Sequence, residues 1–208
     1  MPVRRQSSRA AATRRALLDG ARGVFTESGY AEASIADVVT RSQASVGSLY
    51  HHFGGKADLY LALFEAFNQE QVERATAAVT AARAYGERDP MRLFLAGARA
   101  YLASCWDDRD LARLFLTGGG PEGFAEVGRR RTQEWVRQNT TLLHADERRD
   151  GEALVHTLTT VAGTAGREVA ACSSAARAAR LTEDYLELMA RLATPTRGGG
   201  VLTSGADG

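Results

Sequence analysis

Residues 34–56 read SIADVVTRSQASVGSLYHHFGGK, and this stretch decides the fold. Ser34 followed three residues on by Asp37 is a helix-start pattern, because a serine hydroxyl can accept an otherwise unpaired N–H of the first turn. Ile35, Val38 and Val39 give that helix a short apolar face ending near Thr40 or Arg41. Ser45 opens another short helix, in which Leu49 and Phe53 are four residues apart and face inward, before Gly54-Gly55 breaks it. A long amphipathic run then begins at Lys56, with Leu59, Leu63, Ala66, Phe67 and Val72 marking its buried side. Upstream, Leu17, Ala21, Val24 and Phe25 make one helical stripe from Thr13 to Ser28-Gly29, where glycine can turn left-handed. Three helices of unequal length, separated by a few residues, form a helix-turn-helix layout.

The charge distribution agrees with that layout. The net charge is +1. Residues 1–56 carry eight basic side chains (Arg4, Arg5, Arg9, Arg14, Arg15, Arg22, Arg41, Lys56) against four acidic ones (Asp19, Glu27, Glu32, Asp37), hence +4, and the rest of the chain balances at −3. A basic end on a mildly acidic body suits contact with a polyanion, although a solvated basic arm has the same composition. Apolar residues at 44% and charged residues at 25% are ordinary for a globular chain. No apolar run is long enough for a membrane helix, and the N-terminus lacks the apolar stretch of a signal peptide. A cytoplasmic protein without membrane contact is the expectation. Cys105 and Cys172 make neither a disulfide framework nor a zinc spacing.

If residues 45–53 lie in a major groove, Ser45, Ser48, His51 and His52 are free to reach phosphates or base edges, and the Tyr50 phenol can donate to a phosphate oxygen. Lys56 and Ser34 sit at helix starts that favour an anion. Each has a plainer reading: Tyr50 as a core tyrosine, Lys56 as a surface lysine, His51-His52 as a weak metal pair pointing about 100° apart on a helix.

The segment TRRALLDGARGVFTESGYAEASIADVVTRSQASVGSLYHHFGGKADLYLALFEAF, from Thr13 to Phe67, resembles the DNA-binding domain of the TetR family of transcriptional regulators. The marks are TRRALLDGARGVF followed by GY, the SIADV start, and GSLYHHF with GGK, in order and without a gap. Almost every segment reads helical and none as a strand, so an all-α chain of about nine helices is expected, with a tail (194–208) poor in apolar residues and disordered; with the resemblance, the rest divides into a flexible basic arm (1–12), a helix-turn-helix domain (13–56) and a larger helical ligand-binding and dimerisation domain (57–193). The resemblance implies phosphate or base contacts at Ser34, Ser45, Val46, Gly47, Ser48, Tyr50, His52 and Lys56. Two positions depart from the family pattern: Gln43 stands where the turn usually has glycine, and Val46 where a polar group is common. Valine can offer only apolar contact, for instance with a thymine methyl.

The resemblance further implies a homodimer on a roughly palindromic double-stranded DNA operator, released by a small-molecule effector, with no cofactor. Leu154, Leu158, Val161, Ala165, Tyr185, Leu188 and Met189 offer a dimer seam, with Gly163 and Gly166 allowing close approach; the same residues also suit packing within one chain. An aromatic-rich stretch suits an apolar pocket, with Phe64, Phe67, Phe94, Tyr101, Trp106, Phe115, Phe124 and Trp135 as walls and Arg99, Glu134, Gln138 and His156 as polar groups. No nucleophile motif, phosphate loop or metal-ligand spacing is present, so no enzyme is expected. Two other readings stay open: the same fold triggered by a partner protein, and a helical small-molecule binding or enzymatic protein that no longer binds DNA.

Overall fold

The computed structural model describes the backbone of residues 3–117 and 119–193, and in it nine α-helices and one 3-10 turn occupy the chain, with no strand among the described residues. The tail expected from Thr194 and the side chains of Arg4 and Arg5 lie outside the described residues.

Helix α1 (Val3–Glu32) begins ten residues before the expected start at Thr13, so the described part of the expected arm is helical. Nothing in 3–12 stops a helix: there is no glycine or proline, and Ala10, Ala11 and Ala12 have the best intrinsic propensity. Its regular geometry breaks at Gly29 (φ 74°, ψ 173°), as the sequence predicts. Helices α2 (Ile35–Ser42) and α3 (Val46–His52) follow, capped by Ser34 and Ser45. Helix α4 (Lys56–Ala84) ends at Tyr85, and α5 (Pro90–Asp107) starts behind an Asp89 cap with proline in its first turn. Then come α6 (Arg109–Thr117), α7 (Phe124–Leu142), α8 (Gly151–Ala171) and α9 (Ala175–Leu192).

Helix α7 starts at Phe124, because Gly123 adopts φ 79° and the helix cannot run back through it. A 3-10 turn, Ala145–Glu147, was not expected between α7 and α8. It is held so close that a Cβ at Gly151 would lie 1.9 Å from the Ala145 carbonyl oxygen.

Two apolar cores organise these helices. The first joins Leu17, Phe25, Val38, Leu49 and Phe53 of α1–α3 to Leu59, Leu63, Leu111 and Phe115 of α4 and α6. The second joins Phe94 and Leu102 of α5 to Leu158, Val169, Leu186 and Met189 of α8 and α9. The first core therefore crosses the boundary expected at residue 56, and α4 is a spine common to both halves. Its inner face also differs from expectation. Ala66 is exposed and Val72 half-buried, while Tyr60, Phe64, Asn68 and Gln71 are buried.

Candidate nucleic-acid interface and internal cavity

Helix α3 is too short to be stable alone and is held by its two apolar anchors. Leu49 is fully buried and Phe53 nearly so, which turns the opposite side of the helix outward. On that side Ser45, Val46, Gly47, Tyr50 and His51 are exposed, while Ser48 and His52 are half-buried. Tyr50 is 54% exposed and Val46 50%, so the reading of Tyr50 as a core residue fails and an unpartnered apolar group stands on the outer face. The Ser45 hydroxyl accepts the Ser48 N–H at 3.1 Å and lies 2.9 Å from the Ser48 hydroxyl. Ser34 does the same for α2: its Oγ accepts the Asp37 N–H at 3.1 Å and donates to the Asp37 carboxylate at 2.6 Å. The rings of His51 and His52 stand edge to face with centroids 5.2 Å apart.

The turn between α2 and α3 uses a paired C-terminal cap. Gln43 donates to the Thr40 carbonyl at 3.3 Å and Ala44 to the Val39 carbonyl at 3.2 Å, with Gln43 at φ 52°, ψ 26°. The glycine-like conformation is therefore kept and borne by a residue with a Cβ, at a cost of about 1–2 kcal/mol.

Three of the eight basic side chains near the N-terminus are paired with groups of the chain itself. Arg22 pairs with Asp108 and Asp110, and Arg41 with Glu27. Lys56 Nζ donates to the carbonyls of Tyr30, Ala31 and Ala33 at 2.9, 3.1 and 3.0 Å and lies 4.6 Å from the centre of the Tyr30 ring. An ammonium has three protons, and all three are used. The phosphate contact expected of the Lys56 side chain is thus replaced by a structural one: it ties the start of α4 to the end of α1. Arg9, Arg14 and Arg15 are exposed, and the Arg14 guanidinium lies 5.2 Å from the centre of the Phe53 ring, beside the end of α3. Spacing alone does not single out Arg14, because its partner is on another helix.

Between α4, α5, α7 and α8 lies a cavity of about 1210 Å³. Of the expected lining, Phe64, Phe94, Tyr101, Phe115, Trp135 and Gln138 are in place. Phe67 packs against Phe115 in the first core, Trp106 packs against the second core under Arg109, Arg99 pairs with Glu183 on the surface, Glu134 pairs with Arg131, and His156 is exposed, so these five do not line it. Phe124 lines it as well, while the sequence reading missed Asn68 and Gln71 on the inner face of α4, Arg131 on α7, and the turn residues Gly119, Gly120, Pro121 and Gly123. Two buried amides within an apolar stripe were the available signal, since polar side chains at such positions need partners. Helix α7, which walls one side, has no buried residue. Burial pushes Tyr101 well up and Cys105 to about 12, so both stay protonated.

The expected dimer seam is corrected in part. Leu154, Leu158, Ala165 and Met189 are in the chain's own core, because α8 and α9 turn their strongest apolar faces toward α5. Gly166 serves that contact too: a Cβ there would meet the Tyr101 hydroxyl at 2.6 Å, whereas Gly163 has open space beside it. Val161 and Tyr185 are half-buried, and Leu188 and Leu192 are 46% and 43% exposed.

Comparison with known proteins follows the same division. Residues 17–63 match the family described as bacterial regulatory proteins, tetR family. Over 77 residues the chain is 43% identical to the HTH-type transcriptional regulator CymR of Pseudomonas putida, covering 36% of this chain and 38% of that protein. Over 51 residues it is 41% identical to the HTH-type transcriptional repressor AcnR of Corynebacterium glutamicum, covering 24% and 27%. The chain thus matches well under half the length of these curated relatives. Among solved structures, a TetR-family transcriptional regulator from Pectobacterium atrosepticum aligns over 89% of this chain and 94% of its own, with TM-score 0.63 and 24% identity. A TetR-like transcriptional regulator from a Rhodococcus species aligns over 86% and 94%, with TM-score 0.66 and 18% identity. At such identities the likeness is one of fold.

Proposed function

Because residues 17–63 carry the tetR-family DNA-binding domain and most of the chain shares the fold of solved regulators of that family, we propose that this protein is a homodimeric transcriptional repressor, released from its operator by a small molecule in the cavity. The observation that carries the reading is the outward face of α3. Leu49 and Phe53 anchor the helix and leave Ser45, Val46, Gly47, Tyr50 and His51 unobstructed for a groove. Arg9, Arg14 and Arg15 supply the salt-sensitive attraction to phosphates. Val46 reads a thymine methyl, and Ser48 and His52 reach base edges from the same helix.

The dimer forms through α8 and α9, with Tyr185, Leu188 and Leu192 at helical spacing on the uncovered side of α9. A two-fold dimer on DNA reads two inverted half-sites. The effector works by population shift, so it binds the DNA-incompetent arrangement more tightly; moving the balance from 1:99 to 99:1 takes about 5.5 kcal/mol of differential binding.

The test is a mobility-shift titration of the purified protein against the intergenic DNA upstream of its own gene, at low and high salt. The proposal expects saturable, competitor-resistant complexes that weaken steeply with salt. A flat salt dependence with no specific complex would favour a small-molecule binding protein that no longer reads DNA.

A further inference from the structure

The cavity wall has a pronounced charge bias. Four arginines line it (Arg83, Arg129, Arg131 and Arg167), Arg129 and Arg131 being ion-paired with Glu126 and Glu134, and among the described residues no aspartate, glutamate or lysine lines it. Arg131 differs from the other three. Its side chain is only 16% exposed, and Nη1 donates to the Glu134 carboxylate at 2.8 Å. Nε and Nη2 are sealed from solvent and have no hydrogen-bond partner.

These two nitrogens form one edge of the guanidinium, where two N–H bonds run parallel and match the two oxygens of a carboxylate. The protein uses that edge elsewhere: Arg22 donates from Nε and Nη2 to the two oxygens of Asp110 at 2.9 and 2.7 Å. At Arg131 the same edge is desolvated and unpaired, an arrangement native proteins rarely leave without a partner. The rest of the lining is largely aromatic, with Phe64, Phe94, Phe115 and Trp135 around it.

Building on the reading of the cavity as an effector site, we propose that its ligand is an apolar organic acid. Arg131 lines the cavity, and the carboxylate reaches its free Nε/Nη2 edge by displacing the side chains that cover it, while the hydrocarbon body lies against the aromatic wall. The uncommitted edge selects acids over their neutral analogues.

Trp135 lines the cavity and Trp106 does not, and the chain has two tryptophans, so W106F leaves one reporter inside the site. In that background, tryptophan fluorescence is titrated with two acid–alcohol pairs, decanoate with decanol and phenylbutyrate with phenylbutanol. At least one acid is expected to bind about tenfold or more tighter than its alcohol, as a charge-assisted bidentate pair allows. Arg131→Gln is expected to abolish the preference without lowering thermal stability, since it removes a costly unpaired edge. Arg131→Lys is expected to restore only part of the preference. Equal binding of acid and alcohol in both pairs, or no binding of either acid, overturns the proposal. So does an acid preference that survives in Arg131→Gln. The regulator reading is scored separately by operator binding of wild type and Arg131→Gln without ligand. Loss of DNA binding in the wild type would sink that reading and leave the acid preference standing.

Discussion

The Tyr60 hydroxyl donates to the Gly119 carbonyl at 3.0 Å, joining the helix that follows the helix-turn-helix segment to the turn that borders the cavity. The Tyr60 ring meets Tyr30, Phe115 and Phe124 edge to face at centroid distances of 5.0–5.2 Å. Burial, with Tyr30 nearby, raises the phenol to about 12, so it remains a donor throughout the physiological range. Phe124 on the cavity wall and Tyr30 at the end of α1 thus pack on the same ring, and the Tyr30 carbonyl is in turn held by Lys56. Tyr60→Phe keeps the ring and deletes the donor. It is expected to cost about 1 kcal/mol in denaturant unfolding, and a loss near zero would show that the contact does not hold the two parts together.

Lys56 and Arg14 separate two ways of supporting DNA binding. Lys56→Ala leaves three carbonyls without their donor and is expected to lower stability by about 2 kcal/mol and to weaken binding to every duplex. Because its ammonium faces inward, the slope of log affinity against log salt should stay as in wild type. Arg14→Ala should keep stability and reduce that slope by about 0.9, the value for one phosphate contact. Salt titrations of both variants check this, and a reduced slope for Lys56→Ala would return its ammonium to the DNA.

Gln43 carries backbone strain that a glycine would not. At φ 52° the αL cost is relieved in Gln43→Gly, against a smaller entropic gain by the unfolded chain. The variant is expected to be more stable by about 0.5–1 kcal/mol, read as a higher denaturation midpoint with an unchanged m-value. A destabilised variant would mean that the glutamine side chain makes a contact worth more than the strain.

The Arg22–Asp110 pair ties α1 to α6, and the sign of its pH dependence follows from Asp110. Burial raises this carboxyl, but the hydrogen bonds and charge of Arg22 outweigh that and hold it below its usual 3.8. A folded-state value below the unfolded one adds stability that is complete above 3.8 and disappears as pH falls through the lower folded value. Both partners are substantially exposed, so screening limits the pair to about 1 kcal/mol. Asp110→Asn should therefore destabilise at neutral pH, and its gap from wild type should close as the pH drops below 3.8. Unfolding curves across that range decide the matter; a gap that does not depend on pH would mean that the side chain contributes by packing alone.

The parts legible in the sequence are those set by local chemistry. Ser34 and Ser45 cap where their spacing places them, and Leu49 and Phe53 bury because they share one face of a short helix. The start of α1 was not legible, because absence of a stop signal is weaker evidence than its presence. The commitments of Lys56, Arg22 and Arg131 were hidden because each depends on groups far along the chain or across the fold. Leu154, Leu158, Ala165 and Met189 show the same limit: periodicity finds an apolar face but does not say whether it meets its own chain or a second copy.

Selection of bound duplexes from a random pool tests whether a symmetric pair of α3 helices reads DNA sequence. The account predicts enrichment of two inverted half-sites, centred about 10 base pairs or a multiple apart. Recovery of a pool with no enriched motif, bound only in proportion to salt, would contradict it.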